Sequence, residues 1–338
     1  MAGITIYDIA REAGVSTSTV SRVLSNKASI SDETKQIINK IVKKYNFKPN
    51  AAAQSLNIGT RIIGLMVSDI RSGYFSSLTV ACEEAASSRG YTVLLCNMLN
   101  KYSLELDHLE KLYAQRVEAI IQLGRRTDDI ISDPSYVKHV RAITQNIPFI
   151  TSGKLDGVDY YSVKMNHTLA IRIVIDYLMS LGHRKIAFIG GEEKSLSIYE
   201  KKIEYIRMMK EYNIKLPREF FQEGSYNMPS GYNCMERLLK LAAKPSAVIA
   251  VNDECAIGAI HALKRHGLSV PDDMSVVGCD NTVFSQFTWP QLTTVEYNYP
   301  LFGDSLVNTA ILAAQKKNPP RETILTPSLV VRESCRAL

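Results

Sequence analysis

The sequence predicts a small all-α head followed by a larger α/β body with two parallel sheets. Residues 1–60 contain short amphipathic helical segments, whereas after Arg61 continuous apolar strands alternate with amphipathic helices. This alternation runs through two successive series, which predicts two lobes. The length of 338 residues exceeds one average domain, as a head and two lobes require.

The strands of the body are expected at the apolar runs, with a helix after each strand. The second series is expected to begin with a helix near 168–181. The last two runs are expected to return as strands to the second lobe. The predicted strands are 62–67, 92–96, 119–122 and 148–150, then 185–189, a short one near 220, 247–251 and 275–278, and finally 323–325 and 328–332.

The head begins with two short helices joined by a glycine. Gly14 is expected to end the first helix, since glycine tolerates positive φ. The second helix leaves Thr17, Ser18, Ser21 and Arg22 on its outward face, a hydroxyl-rich surface with one arginine rather than a mixture of Glu and Lys. The predicted core positions of the three helices in the head are Ile6, Ile9, Ala10, Ala13, Val20, Val23, Leu24, Thr34, Ile37, Ile38, Ile41 and Tyr45.

The charge of the chain is concentrated in this head. The net charge is +6, and residues 1–60 hold eight basic residues against four acidic ones. A basic head on a nearly neutral body suits contact with phosphates. A solvated basic surface would explain the charge alone, but not the helical pattern beneath it.

The composition also indicates what the chain is not. The six cysteines form no CxxC pair, which predicts free thiols in a reducing compartment. Charged residues interrupt the first apolar stretch, and no apolar run reaches the length of a membrane span, so we expect a cytoplasmic protein without a membrane partner. Phosphate-binding loops and nucleophile elbows are missing, and the histidines form no ligand-spaced pair. The sequence therefore predicts no enzyme activity, no cofactor and no metal site.

The segment from Lys48 to Asn57 connects head and body. A proline near its start and alanines through its middle favour a helix of about two turns, which is too short to be stable alone. Leu56 has no local partner to bury against. Two alternatives remain open: the segment packs on the domain beside it, or it folds only when docked on DNA.

Three stretches of the head resemble the lac/gal repressor family (LacI/GalR), namely Thr5–Ser16, Thr19–Leu24 and Pro49–Leu56. The body resembles the effector domain of that family, which is similar to sugar-binding periplasmic proteins. The stretches of the body that carry the resemblance are Leu178–Gly190, Asn252–Ala259, Val270–Asp280, Pro290–Val295 and Leu329–Ser334.

The resemblance covers the whole chain and implies its organisation. It implies a helix-turn-helix DNA-binding head at 1–49, a hinge helix and linker at 50–60, and an effector-binding and dimerisation domain at 61–338. Within this last domain, lobe one is expected at about 61–158 and 293–322, and lobe two at about 159–292 and 323–338.

The resemblance also implies which residues contact DNA. Thr17, Ser18 and Arg22 would read base edges, with most of the specificity on Arg22 because the other two side chains are short. Ala53 and Leu56 would enter the minor groove, where the leucine is pushed between base pairs. Residues placed for phosphate contact are Thr5, Tyr7, Ser16, Thr19 and Ser21.

A small effector is implied in the cleft between the lobes. Aromatic faces can stack on it, and an amide and a carboxylate can accept its hydroxyl donors. Core packing of the aromatic residues stays an open alternative. Lys201 stands where the family usually has an arginine and cannot form a bidentate fork, so a ligand other than a typical free sugar stays open. The effector residues implied are Tyr74, Phe75, Lys201, Tyr226, Asn252, Asp280 and Trp289.

These observations predict a sequence-specific transcription regulator, most typically a repressor, whose affinity for double-stranded operator DNA is set allosterically by a sugar or sugar derivative. A leucine-zipper tail is missing before Leu338, which predicts a homodimer. An alternative keeps the DNA function but makes a phosphorylated carrier protein the corepressor, bound by lobe-one arginines. A solute-binding protein or an α/β enzyme is disfavoured by the basic head, the missing signal peptide and the missing catalytic residues. The arginines considered for the carrier protein are Arg71, Arg89, Arg125 and Arg126.

Overall fold

The computed structural model describes residues 4–24, 30–47 and 59–338. The chain separates into two compact units, Met1–Arg61 and Ile62–Leu338. None of the helices within the described ranges is long and apolar enough to cross a bilayer.

The head consists of three helices, α1 (Ile6–Ala13), α2 (Thr17–Leu24) and α3 (Asp32–Lys44). Gly14 ends α1 with φ at 67°, in the left-handed region where glycine is at least cost. The hydrophobic core of the head is smaller than predicted, because Ile37 is 45% exposed. Ile37 lies about 100° around the helix from its buried neighbour, and so it faces solvent. The buried residues of the head are Ile9, Ala10, Val20, Ile38 and Ile41.

Lobe one is built on a parallel sheet of six strands in the order β11-β5-β4-β3-β1-β2. Helices pack on both faces, as the continuous apolar strands predict. The strands are β1 (Ile62–Val67), β2 (Thr92–Asn97), β3 (Ala119–Leu123), β4 (Phe149–Thr151), β5 (Tyr161–Met165) and β11 (Glu322–Leu325). The helices are α4 (Gly73–Ser87), α5 (Tyr102–Ala114), α6 (Pro134–Thr144) and α11 (Tyr299–Ala314).

Lobe two repeats this architecture with the strand order β12-β10-β9-β8-β6-β7. All its pairings are parallel except that of β12 with β10. The strands are β6 (Ile186–Ile189), β7 (Phe221–Gln222), β8 (Ala247–Ala250), β9 (Ser275–Asp280), β10 (Thr293–Glu296) and β12 (Ser328–Val330). The helices are α7 (His167–Ser180), α8 (Leu196–Glu211), α9 (Met228–Leu239) and α10 (Asp253–Arg265).

The chain crosses between the lobes at points that differ from the predicted boundaries. The residues of β5, which fall in the range expected for lobe two, form a strand in the sheet of lobe one. The residues of β10, which fall in the range expected for lobe one, form a strand that pairs with β9 of lobe two. The strand β11, expected to return to lobe two, pairs in parallel with β5. A short strand at a sheet edge carries too little apolar pattern to specify its partner, because its neighbour is chosen by register and tertiary packing.

Candidate ligand cleft and candidate DNA-binding surface

The first turn of α2 carries a cluster of hydroxyl groups. The hydroxyl of Ser16 lies 2.7 Å from that of Ser18 and 2.9 Å from that of Thr19. The backbone N–H of Thr19 donates to the Ser16 hydroxyl at 3.2 Å. Ser18 and Arg22 are exposed, whereas Thr17 is half-buried. Hydroxyls beside the N–H groups of a helix N terminus can bind phosphate oxygens, and the exposed side chains of α2 can reach base edges.

The remaining predicted DNA contacts differ in their surroundings. Tyr7 is 71% exposed. The Thr5 hydroxyl already donates to Asp8 at 2.6 Å, and the backbone N–H of Thr5 donates to the same carboxylate at 2.9 Å. These bonds lower the pKa of Asp8 and complete a capping box that begins α1. Ser21 is half-buried. The predicted minor-groove residues Ala53 and Leu56 lie outside the described residues.

A cavity of about 660 Å³ separates the two lobes at the carboxyl ends of their parallel strands. The structure brings six of the seven predicted effector residues to its wall. Those from lobe one are Tyr74 and Phe75, and those from lobe two are Lys201, Tyr226, Asn252 and Asp280.

Trp289 does not line this cavity and is 88% exposed. The segment between β9 and β10 is anchored by the buried Thr282 and Ser285, and its large side chains project outward instead. Phe287 is 81% exposed on the same surface. The predicted role of Trp289 in effector binding is therefore not supported by its position.

Asp280 is the last residue of β9 and is 8% exposed. Its φ of 103° is a backbone conformation that residues other than glycine rarely adopt. Within the described part of the chain no group donates a hydrogen bond to its carboxylate. Burial raises the pKa of Asp280 well above its ordinary value, and the nearby carboxylate of Asp253 raises it further. A strained, buried and unpaired acceptor is suited to a ligand that supplies a donor.

Lys201, from α8, is 4% exposed. Its ammonium donates to the carbonyl of Val251 at 3.3 Å and lies 4.0 Å from the sulfur of Cys279. Among the described residues, no carboxylate lies within 4 Å of the Lys201 ammonium. The cavity therefore holds an ammonium and a carboxylate that do not pair with each other, and a ligand can contact both.

His167 is a wall residue that the sequence analysis did not predict. It begins α7 after the cap residue Asn166. Burial, with the charges of Lys201 and Lys164, lowers the pKa of His167 to about 3. The imidazole is therefore neutral, and its buried Nδ1 has no hydrogen-bond partner among the described residues. Its sequence signal is the pair Asn166-His167, which departs from the usual Asp-Asn of the family that the chain resembles.

Asn252 and Tyr226 are held by the protein itself. The Asn252 side-chain oxygen accepts the N–H of Cys255 at 2.9 Å and caps α10. The Asn252 side-chain nitrogen donates to the carbonyl of Tyr226 at 2.8 Å. The Tyr226 hydroxyl donates to the Ser195 hydroxyl at 2.8 Å. Asn252 thus orients neighbouring wall residues as well as facing the cavity.

The aromatic residues of lobe one pack on the core and line the cavity at once. Tyr74 meets Phe75 edge-on, with ring centroids 5.0 Å apart. It also meets Tyr297 and Tyr299 edge-on, at 6.2 and 5.9 Å. Burial raises the pKa of Tyr74, and the charge of Asp280 raises it further. The two interpretations of Tyr74 and Phe75, core packing and ligand contact, are therefore compatible.

The mouth of the cleft is bridged by direct contacts between the lobes. Asp129 of lobe one forms an antiparallel bridge with Ser195 of lobe two. The backbone N–H of Leu196 donates to the carbonyl of Asp128 at 2.5 Å. The Asp128 carboxylate accepts the backbone N–H of Ser197 at 3.0 Å and its hydroxyl at 2.9 Å. Burial raises the pKa of Asp128 to about 6.

Three of the four lobe-one arginines considered for a carrier protein pair with carboxylates of this chain. The fourth, Arg125, lines the cavity. The pairs are Arg71 with Asp69 at 2.6 Å, Arg89 with Asp304 at 2.7 Å, and Arg126 with Glu105 at 2.9 Å and Asp133 at 2.6 Å. The described residues contain no group of three or more side chains that could hold a metal ion.

Comparison with known proteins agrees with this architecture. Residues 5–50 match the bacterial regulatory proteins of the lacI family, and residues 175–335 match the periplasmic binding protein-like domain. The chain is 33% identical over 344 residues to the HTH-type transcriptional repressor PurR of Mannheimia succiniciproducens, covering 99% of both chains. The chain belongs to the lacI family. PurR of Histophilus somni is 31% identical with the same coverage.

The structure of this lacI-family chain also matches a solved structure over its whole length. The crystal structure of the lac repressor dimer bound to operator and the anti-inducer ONPF has a TM-score of 0.88 and 27% identity, and the match covers 99% of this chain and 100% of that one. The predicted fold, a helix-turn-helix head with a two-lobed α/β domain, is confirmed. The chain is a DNA-binding transcriptional repressor of the lacI family and not an enzyme.

Proposed function

We propose that this repressor binds its operator as a homodimer and that a small polar ring compound, bound in the cleft, sets its operator affinity. The observation that carries the proposal is the pair formed by Lys201 and Asp280. Both are buried on one cavity wall, and no ion pair within 4 Å joins them. Buried charges are costly unless paired, so a ligand that contacts both would offset this cost.

The cleft limits the chemistry of this ligand. A cavity of about 660 Å³ is of a size that commonly holds small molecules. Asp280 accepts from a hydroxyl or N–H group, Lys201 donates to an oxygen acceptor, and Tyr74 and Phe75 offer aromatic contact. A sugar or sugar derivative supplies all of these groups. A flat nitrogen heterocycle supplies the same donor and acceptor, and so it belongs in any ligand screen.

Ligand binding is proposed to act through the relative position of the lobes. A ligand shifts the equilibrium between two lobe arrangements only by its difference in affinity for them. A coupling of about 1–3 kcal/mol changes operator affinity roughly 5–150-fold. In the head, Thr17, Ser18 and Arg22 are proposed to contact bases, and Ala53 and Leu56 the minor groove. The proposed phosphate contacts are Thr5, Tyr7, Ser16, Thr19 and Ser21.

Two apolar surfaces support the proposed homodimer. Strand β2 is an edge strand, and Leu94 and Leu95 on it are 36% and 38% exposed. On lobe two, Phe284, Phe287 and Trp289 are exposed together. An open sheet edge and a group of exposed aromatic residues are typical of surfaces that another chain covers. The related lac repressor is described as a dimer on its operator.

The phosphorylated carrier protein is not part of this proposal. The ion pairs of Arg71, Arg89 and Arg126 leave less positive charge for a protein-bound phosphate than the sequence suggests. A cytoplasmic location is proposed because operator DNA is the partner.

The experiment selects bound sites from random duplex DNA with the full-length protein and then titrates the selected site by fluorescence anisotropy. Sugars, sugar derivatives and nitrogen heterocycles are added in turn. At least one compound is expected to change the operator Kd by fivefold or more. Asp280→Asn is expected to abolish the response and Asp272→Asn, an exposed acid of the same lobe, to retain it. A response that survives Asp280→Asn would place the effector outside the cleft.

A further inference from the structure

Two cations from opposite lobes meet at the mouth of the cleft, around the ring of Tyr102. We propose that Arg125 and Lys194 form an anion-binding subsite that takes a phosphate or carboxylate group of the effector. The proposal rests on the proposed effector cleft and adds a charge class to its ligand. Arg125, Lys194 and Tyr102 all line the cavity.

Arg125 is presented to the cavity by an unusual backbone turn. It follows β3 and Gly124, and its own φ is 52°, in the left-handed region. Its guanidinium carbon lies 4.4 Å from the centroid of Tyr102. The guanidinium donates to the side-chain oxygen of Asn100 at 3.4 Å, a long bond. Its buried Nε has no hydrogen-bond partner among the described residues.

Lys194 approaches the same ring from lobe two, with its ammonium 4.9 Å from the centroid. The interlobe bridge fixes its backbone, since its carbonyl accepts the N–H of Ile130 at 2.9 Å. Its ion pair with Glu192 has a separation of 3.5 Å, and the Lys194 side chain is 55% exposed. Lys194 lines the cavity and its side chain is half exposed, so a ligand in the cavity can reach the ammonium.

Arg126, the third cation at this ring, differs from Arg125 in that it forms ion pairs. Its guanidinium lies 4.7 Å from the same centroid, but it pairs with Glu105 and Asp133. In the described part of the chain, Arg125 has no carboxylate within 4 Å. The Asp129 carboxylate accepts a hydrogen bond from the Tyr102 hydroxyl at 2.9 Å. Arg125 and Lys194 therefore lie around one ring from different lobes, and among the described residues no carboxylate forms an ion pair with both of them.

An anion placed between these cations would turn a repulsive contact between the lobes into an attractive one. Guanidinium binds phosphate and carboxylate through charge-assisted hydrogen bonds, and Arg125, which lines the cavity, forms no ion pair with a carboxylate of the described residues. Since the two cations belong to different lobes, such an anion binds the closed arrangement best. Phosphate and carboxylate share this chemistry, and matched ligands distinguish them.

The test measures thermal unfolding of the full-length protein with inorganic phosphate and with matched pairs of compounds. The pairs are glucose with glucose 6-phosphate, ribose with ribose 5-phosphate, adenosine with its monophosphate, and galactose with galacturonate, all at equal ionic strength. Phosphate at tens of millimolar is expected to raise the Tm relative to chloride. In at least one pair the anionic member is expected to bind about tenfold more tightly.

Two variants and one control locate the effect. Arg125→Met together with Lys194→Met should remove the phosphate-dependent rise in Tm and the preference within the pair. Lys194→Met alone should weaken both effects. Because the Lys194 side chain is exposed, this single variant should fold normally and so shows whether a folding defect explains the result of the double variant. Lys264→Met, an exposed lysine at the end of α10, should behave as the unchanged protein.

The proposal is overturned if phosphate protects the double variant as well as the unchanged protein, or protects neither. It is also overturned if no anionic member is preferred over its neutral partner. A neutral compound that shifts operator affinity would then leave the proposed function intact. If no compound changes operator affinity but the two cations bind phosphate, the subsite stands and the proposed effector control fails.

Discussion

The head and the cleft place their polar groups in opposite environments. In the head, Ser18 and Arg22 are exposed, and the ion pair between Lys44 and Glu12 lies at the surface. In the cleft, Lys201 and Asp280 are almost fully buried without pairing with each other. A DNA duplex carries many phosphates, so polar groups on the protein need only be accessible to contact them. A small ligand offers few groups, so its site must preorganise buried ones to gain comparable specificity.

The largest effect is expected from the buried network behind the cleft. The Asp253 carboxylate accepts the N–H of Thr282 at 2.7 Å, its hydroxyl at 2.9 Å and the hydroxyl of Thr294 at 2.5 Å. Asp253→Ala would leave three buried donors unsatisfied and should cost about 3 kcal/mol of unfolding free energy. Urea unfolding measures this cost. A change below about 1 kcal/mol, or an equal loss in the exposed-site control Asp272→Ala, would contradict a role for the network.

The connecting segment comes next, because it carries Leu56, the side chain proposed to wedge between base pairs. Leu56→Ala should weaken operator binding about 10–100-fold, since the bend that the wedge stabilises is worth a few kcal/mol. Binding to random DNA should stay nearly unchanged, because it depends on phosphates. Anisotropy titrations on both duplexes measure the difference. Equal loss on both DNAs would rule out the wedge.

The exposed face of α2 is expected to act on specificity rather than on overall affinity. Arg22→Ala should relax the preference at one guanine by about 1–3 kcal/mol, the discrimination of a bidentate contact. Site selection from random duplexes shows the loss at one position. Arg11→Ala, an exposed arginine of α1, serves as the control. An unchanged base preference in Arg22→Ala would move base recognition to other residues.

The smallest effect concerns pH at the mouth of the cleft. The folded pKa of Asp128, about 6, lies above that of an unfolded aspartate. Ionisation of Asp128 therefore lowers the free energy of unfolding. This loss of stability is absent below about pH 4 and complete above about pH 6. The Tm of Asp128→Asn relative to the unchanged protein should accordingly rise between pH 4 and 7.

Asp133 gives the matched control with the opposite sign. Its hydrogen bond from the backbone N–H of Tyr136, together with Ser135 and Arg126, lowers its pKa to about 2. Its ionised form therefore supports folding above about pH 4, and this support is lost as the pH falls through 2. Asp133→Asn should lose stability at pH 7 and approach the unchanged protein in acid. A parallel pH response of the two variants would contradict the assigned environments.

Local patterns predicted most of the elements of this protein. The apolar runs place β1, β3 and β8 to within a residue or so of their bounds, because a buried parallel strand needs a continuous apolar stretch. Gly14 marks the end of α1, since only glycine takes that conformation cheaply. The pattern did not predict β5, β10 or α11, whose partners lie far away in the sequence.

The candidate cleft was predicted only in part, because some of its residues are placed there by contacts with distant segments. Asp280 was implied by the resemblance, and its place at the end of an apolar strand agrees with that assignment. Arg125 was named only as a surface arginine for a carrier protein, and Asp128 was not named, because the place of each at the cavity depends on neighbours on other elements. Trp289 was assigned to the cleft by resemblance, yet the anchored segment around it turns the indole to the surface.

Sequence alone determined the class of this protein: the spacing of apolar residues specifies the head and the two-lobed body, and the motifs of the head specify a DNA-binding repressor. Only the tertiary structure decided where the chain crosses between the lobes and which charges face the cavity. The physical reason is that periodicity encodes which face of an element is buried, whereas the partner of a buried charge is set by packing between distant segments.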